Sequence, residues 1–221
     1  APENGWRSSG DTETVLQAYA VLGRDCLSRL RGMFALAIWD EAAGELWCAR
    51  DRLGIKPFYF HSDGKRFVFA SEVRALLASG LIERRLNSRG LAGFVRFGSL
   101  PEPNTLVEGV ESLPAGHWLR VREGKVVEQQ PYWSPNPDSI NALPEAEIIK
   151  TLRHELERAV EEHLLSDVPV ASFLSGGIDS SIVTALAAQA SSSPIKTFTV
   201  GFRDAELDES EYAEAVAARY R

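Results

Sequence analysis

Apolar residues fall in short runs through the first half of the chain, up to Pro131. Phe34–Trp39 is a continuous apolar run, which predicts a strand buried on both faces. A turn over Asp40–Gly44 leads to a returning strand, Glu45–Ala49. Phe58–Phe60 and Arg66–Ala70 flank a turn carrying Asp63-Gly64, a strong hairpin signal. Helical patterns are interleaved: Thr12–Leu22 ahead of the first strand, and Ser71–Ala78 after the hairpin with Ser71 as its N-cap.

The pattern changes after Trp133. The segment 134–144 is rich in Pro, Asn and Ser and reads as a linker. Glu145–Leu165 then reads as a helix, with Ile148, Ile149, Leu152, Leu156, Ala159 and Val160 on one apolar stripe. Val168–Leu174 predicts a strand, Asp179–Ala190 a helix, Ile195–Gly201 a strand and Glu209–Tyr220 a helix. Alternating strands and helices open a parallel α/β sheet. The expected organisation is a mixed α+β domain over 1–133, the linker, and an incomplete α/β domain over 145–221.

Composition excludes several classes. Of 221 residues, 44% are hydrophobic and 25% charged, as in an ordinary globular protein. The net charge of -7 argues against nucleic acid as a partner, because a nucleic-acid binder usually carries a basic face. No apolar run approaches the ~20 residues that span a membrane, and the polar stretch Ala1–Asp11 has no signal-peptide core. Two cysteines, Cys26 and Cys48, make no disulfide framework. A cytoplasmic location is expected. Because the chain starts at Ala1 and its last residues read as a helix in progress, truncation at both ends is expected too.

The sharpest chemical feature is the string Ser175-Gly176-Gly177-Ile178-Asp179-Ser180, between a predicted strand and a predicted helix. Adjacent glycines allow a tight turn and close approach of a ligand to the backbone. The helix start aims unpaired N–H groups and a positive dipole end into the loop. Ser175, Ser180 and Ser181 add hydroxyls, and together these form an anion cradle for phosphate. No lysine follows the glycines, which rules out a Walker-type P-loop. Asp179 suits Mg²⁺ bridging to phosphate, since such sites use one or two carboxylates. The competing reading is a tight turn with Asp179 as a helix cap.

The string resembles the pyrophosphate loop of N-type ATP pyrophosphatases, which split ATP between its α and β phosphates. With Ser166–Val170 before it and Phe173-Leu174 beside it, the match narrows to asparagine synthetases. Ser9–Glu13, Leu30–Asp40, Ala49–Pro57, Phe97–Pro101 and Leu113–His117 resemble the glutaminase domain of the same enzymes. The resemblance covers essentially the whole chain. It implies a glutaminase domain of the N-terminal-nucleophile type, with αββα layers, followed by the start of a parallel-sheet ATP-pyrophosphatase domain.

By that resemblance, ATP binds through Leu174, Ser175, Gly176, Gly177, Asp179, Ser180 and Val200, with Leu174 and Val200 on adenine and Asp179 on Mg²⁺. Core burial is the competing reading for Leu174 and Val200. Asp11 would bind the α-amino group of glutamine, against a competing reading as a helix cap. The implied reaction moves glutamine-derived ammonia to aspartate through β-aspartyl-AMP, giving asparagine, glutamate, AMP and pyrophosphate. A homodimer of the complete protein is also open.

The family's N-terminal cysteine nucleophile has no counterpart: Cys26 lies in a helical region and Cys48 in a strand. No catalytic residue is therefore assigned, and glutamine hydrolysis by this chain alone is not expected. Arg50-Asp51-Arg52 reads as a structural salt-bridge corner, Trp39 and Trp47 as packing residues, and Asp208-Glu209 as an acidic pair at a helix start. His154 and His163 point to opposite sides of one helix, and His61 and His117 add no metal-site spacing. A β-lactam-synthetase-like enzyme and a non-catalytic nucleotide-binding remnant stay open as alternatives.

Overall fold

A computed structural model describes residues 5–135, 143–204, 206 and 208–220. It divides into two compact units, 1–137 and 138–221. Most of the expected linker falls outside the described residues.

The first unit begins with helix α1 (Asp11–Leu22) and a 3-10 helix (Gly23–Ser28). Gly10 is the N-cap of α1, so Asp11 sits in its first turn and is not the cap. Glu13 reaches back to accept from Arg7 N at 3.0 Å and Ser8 N at 2.7 Å, satisfying donors ahead of the helix. Strands β1 (Ala35–Asp40), β2 (Glu45–Arg50), β6 (His117–Arg122) and β7 (Lys125–Pro131) form an antiparallel sheet in that order. A second antiparallel sheet runs β4 (Phe67–Ala70), β3 (Tyr59–Ser62), β5 (Val110–Ser112). Helix α2 (Val73–Ala78) follows the hairpin, and α3 (Ser88–Phe97) follows α2.

Alternation along the strands sorts side chains into three cores. Trp47, Ala49 and Trp118 join Ile38 beneath Cys26 and Leu27, with Tyr19 of α1 stacked on Trp47 at 4.7 Å. The other face of the sheet supplies Cys48, Leu119 and Val121, which meet Phe58, Phe60 and Leu113. Val110 packs with Leu76 of α2 and Ile82. The described layers therefore run helix, sheet, sheet, helix.

Several expectations change. β1 is an edge strand, and only Leu36, Ile38 and Asp40 turn inward. Ala35, Ala37 and Trp39 are exposed, Trp39 by 60%, so the strand is not buried on both faces, and of the core or interface packing expected of Trp39 the core half does not hold. Ser71 is not a cap, because α2 starts at Val73 with Glu72 as N-cap. The hairpin forms as expected, and its turn is tied by Asp63, whose carboxylate accepts from Lys65 N and Arg66 N at 2.9 and 2.7 Å.

Arg50-Asp51 is a buried corner. Arg50 Nη1 pairs with Glu102 at 2.6 Å and donates to Ser112 Oγ and Leu113 O. The Asp51 carboxylate accepts the backbone N–H groups of Phe34, Leu53, Ile55 and Lys56. Both residues are structural, but Asp51 acts as a backbone cap and Arg52 donates to Leu30 O.

The second unit holds α4 (Glu145–His163), β8 (Ala171–Phe173), α5 (Ile178–Ala190), β9 (Lys196–Phe198) and α6 (Ser210–Arg219). β8 and β9 pair in parallel, as alternating strands and helices require. Both strands are shorter than expected, at three residues each. The α4 stripe packs on α5 only in part, leaving Ile149 and Leu152 exposed.

Candidate functional site

The glycine loop joins β8 to α5. Its first residue, Leu174, extends the pairing with β9: Leu174 N donates to Phe198 O at 2.9 Å, and Thr199 Oγ1 donates to Leu174 O at 2.8 Å. The backbone then turns at Gly176, whose φ of +91° is costly for any residue with a side chain. An added Cβ there would lie 2.8 Å from Tyr212 Cβ, 2.9 Å from Glu209 O and 3.1 Å from Ala213 N. The first turn of α6 thus presses directly on the loop, and only glycine admits it.

Gly177 is the N-cap of α5 and offers no side chain to its first turn. Ser181 Oγ and Ser180 Oγ donate to Gly177 O at 2.7 and 3.1 Å. Ser180 Oγ also accepts from Ser175 N at 3.2 Å and shares a hydrogen bond with Ser175 Oγ at 3.0 Å. The three hydroxyls that the sequence offered to phosphate, Ser175, Ser180 and Ser181, thus hold the loop's own shape. Asp179 stands exposed in the first turn of α5, and the cap role belongs to Gly177.

Beside the loop is an open cavity of about 300 Å³ lined by Phe173, Leu174, Ser175, Phe198, Val200, Phe202 and Glu209. It brings together Leu174, Ser175 and Val200 from the sequence-derived set. Leu174 is 1% exposed, so it serves the core as well as the cavity. Val200 is 67% exposed, which removes core burial as its explanation. Sequence reasoning missed Phe198 and Phe202. Phe198 ends β9, and Val200 and Phe202 follow on the segment that leaves it, so no strand pattern reported the three together.

In the first unit, Asp11 lines a groove of about 490 Å³ between α1 and the edge strand β1, with Thr12, Val15, Leu16 and Phe34–Trp39. Asp11 and Trp39 are exposed there. Cys26 and Cys48 are fully buried, and burial raises both thiols, Cys48 to about 12. Neither is a candidate nucleophile, because attack needs an accessible thiolate. Among the described residues, no cluster of three or more His, Cys, Asp or Glu could hold a metal ion. Asp179 belongs to no such cluster, so a Mg²⁺ ion there would need phosphate oxygens among its ligands. No helix among the described residues is long and apolar enough to cross a membrane.

Residues 1–133 match the family model described as "Glutamine amidotransferase domain". That is more than half of the chain. The chain belongs to the glutamine amidotransferase domain family. Residues 151–221 of this glutamine amidotransferase family member match a second model, described as "Asparagine synthase". It is 34% identical over 206 residues to asparagine synthetase [glutamine-hydrolyzing] 3 of Bacillus subtilis, covering 89% of this chain and 32% of that protein. The putative asparagine synthetase [glutamine-hydrolyzing] 2 of Methanocaldococcus jannaschii is 34% identical over 214 residues, covering 96% and 41%. Amidase chyE of Penicillium rubens is 35% identical over 238 residues, covering 98% and 34%. The chain thus spans between 32% and 41% of the length of these curated relatives. A solved glutamine phosphoribosylpyrophosphate amidotransferase from B. subtilis covers 90% of this chain and 41% of its own, at 17% identity and a TM-score of 0.39, too loose a likeness to carry an argument.

Proposed function

We propose that this chain serves a glutamine-hydrolysing asparagine synthetase, an ATP-dependent carbon–nitrogen ligase in the cytoplasm. Residues 1–133 form part of an N-terminal-nucleophile glutaminase domain, and residues 145–221 begin the ATP-pyrophosphatase domain. Glutamine supplies ammonia, aspartate accepts it, and ATP activates the acceptor carboxylate. The observation that carries this reading is the cavity uniting Leu174, Ser175 and Val200 beside the glycine loop.

The residues divide the work by their chemistry. Leu174, Val200 and the Phe198 and Phe202 rings offer a flat, apolar seat for adenine. Gly176 and Gly177, both half-buried, keep side chains away from the backbone at the start of α5, where the helix dipole favours phosphate. Ser175 and Ser180 keep the loop in that shape and exchange their mutual hydrogen bond for phosphate oxygens. Asp179 would hold Mg²⁺, which would supply charge neutralisation for the phosphates. At the other site, the Asp11 carboxylate faces the ammonium of glutamine.

Titration calorimetry of the chain with ATP, with and without Mg²⁺, tests the reading. Saturable Mg²⁺-dependent binding is expected, with Asp179→Ala losing the Mg²⁺ dependence. Absence of binding, or binding indifferent to Asp179, would refute it.

A further inference from the structure

Asp208, one of the acidic pair at the start of α6, does more than favour the helix end. One of its oxygens, Oδ1, accepts from Ser210 Oγ at 2.6 Å, from Phe202 N at 3.3 Å and from Ser210 N at 3.4 Å. The donors belong to two different walls. Phe202 is on the segment that leaves β9 and lines the cavity with Val200. Ser210 opens α6, whose first turn backs the glycine loop through Glu209 O, Tyr212 and Ala213. Glu209, next to Asp208, lines the same cavity. A single carboxylate oxygen therefore joins the wall that carries the aromatic seat to the helix that holds Gly176.

Gly201 passes beside this knot, which lies at the surface with Asp208 exposed. A Cβ at Gly201 would lie 3.5 Å from Ser210 Oγ and 3.8 Å from Asp208 Oδ1, so the chain passes close to the pair. Ala213, one turn on, is buried. Hydrogen bonds to an ionised acceptor are stronger than neutral ones. The Ser210 hydroxyl, then the Phe202 N–H, hold the Asp208 carboxyl below its ordinary value, as an acceptor-only role requires.

We infer that Asp208 is a positioning residue of the nucleotide site: without touching ligand, it fixes Phe202 and the start of α6 so that the base seat stays formed. The inference rests on the nucleotide-binding reading above. It separates the two ends of the ligand. The seat for the base depends on the Phe202 tie directly, whereas the phosphate end at the α5 N-terminus, built by β8, Gly177 and the serines, feels Asp208 only through the contact of α6 with Gly176.

The test is calorimetric titration of wild type, Asp208→Ala, Asp208→Asn and Ser210→Ala with Mg·ATP, AMP and Mg·pyrophosphate, with the thermal midpoint recorded for each. Loss of charged hydrogen bonds predicts about tenfold weaker ATP and AMP binding in Asp208→Ala. Pyrophosphate binding should weaken clearly less, and Asp208→Asn should recover most of the loss. Ser210→Ala, which removes the shortest bond, should show the same selectivity more weakly and stands in if Asp208→Ala does not fold. ATP and AMP affinities that match wild type would overturn the inference. So would a parallel loss of all three ligands and of the thermal midpoint, which marks a merely structural role. Failure of the wild-type chain to bind Mg·ATP would overturn the underlying nucleotide reading, a result distinct from binding that ignores Asp208.

Discussion

The Thr199 hydroxyl donates a hydrogen bond to the carbonyl oxygen of Leu174 at 2.8 Å, so the residue just past β9 holds the residue just past β8. This bond continues the parallel pairing of the two strands by a side chain where the ladder ends. Thr199→Val keeps the shape and removes the donor. The expected cost is about 1 kcal/mol of stability, the net value of a typical hydrogen bond. Chemical denaturation should show it, and unchanged stability would remove Thr199 from the loop's support.

The two glycines of the loop should respond differently. Gly176→Ala combines a left-handed φ with a Cβ less than 3 Å from Tyr212 Cβ and Glu209 O, so α6 must move. Gly177 has an ordinary φ of -68°, and a Cβ there would meet only Ser175 Oγ at 3.4 Å. Gly176→Ala should cost about 2 kcal/mol or more, as strain and overpacking combine. Gly177→Ala should cost about 1 kcal/mol or less, the penalty for a poorer cap. Equal thermal shifts in the two variants would contradict this account.

Asp51 is 1% exposed and gives its two oxygens to four backbone N–H groups. Asp51→Ala strands those donors and should destabilise the first unit by about 3 kcal/mol or more. Asp51→Asn should give little rescue, because its NH₂ would face N–H donors on one side. Urea midpoints for both variants provide the check, and a mild effect of Asn would show that the corner can rearrange.

The buried thiol of Cys48 ties stability to alkaline pH. Its ordinary value is 9.0 and burial pushes it up to about 12. A value raised on folding means that the protonated form favours the folded state. That contribution is complete below pH 9 and fades as pH rises towards 12. Tyr132 adds in the same direction, pushed up to about 12, chiefly by burial. Thermal midpoints should therefore fall across pH 9–12, less steeply in Cys48→Ala. Both Cys26 and Cys48 should react with a thiol reagent only after unfolding, and any glutamate release should be unchanged in a Cys26→Ala, Cys48→Ala double variant. Rapid labelling of the native chain would refute this burial account.

What the sequence disclosed followed from local rules. The glycine loop was legible because Ser, Gly-Gly and Asp sit at fixed offsets between a strand and a helix. The hairpin was legible from Asp63-Gly64. The edge position of β1 was not, because an apolar run is silent on what covers its second face. The Arg50–Glu102 pair joins positions 52 residues apart, which no local pattern reports. Phe198 and Phe202 went unseen because the segment after β9 is not a strand, and no local period marks which of its side chains turn to the cavity. Asp208 looked like one of two acids at a helix start; its grip on Phe202 appears only once the chain has turned back.

Strand β2 is buried without interruption from Trp47 to Arg50. Trp47 belongs to the core shared with α1, and Cys48 to the core between the sheets. A slip of one position would drive an indole into a space shaped for a thiol and leave a hollow under Tyr19. Neighbours of such different volume act as a key with a single orientation. Strand β2 thereby sets the alignment of β1 and β6 on either side, and through them the height at which the α1 end of the Asp11 groove meets β1.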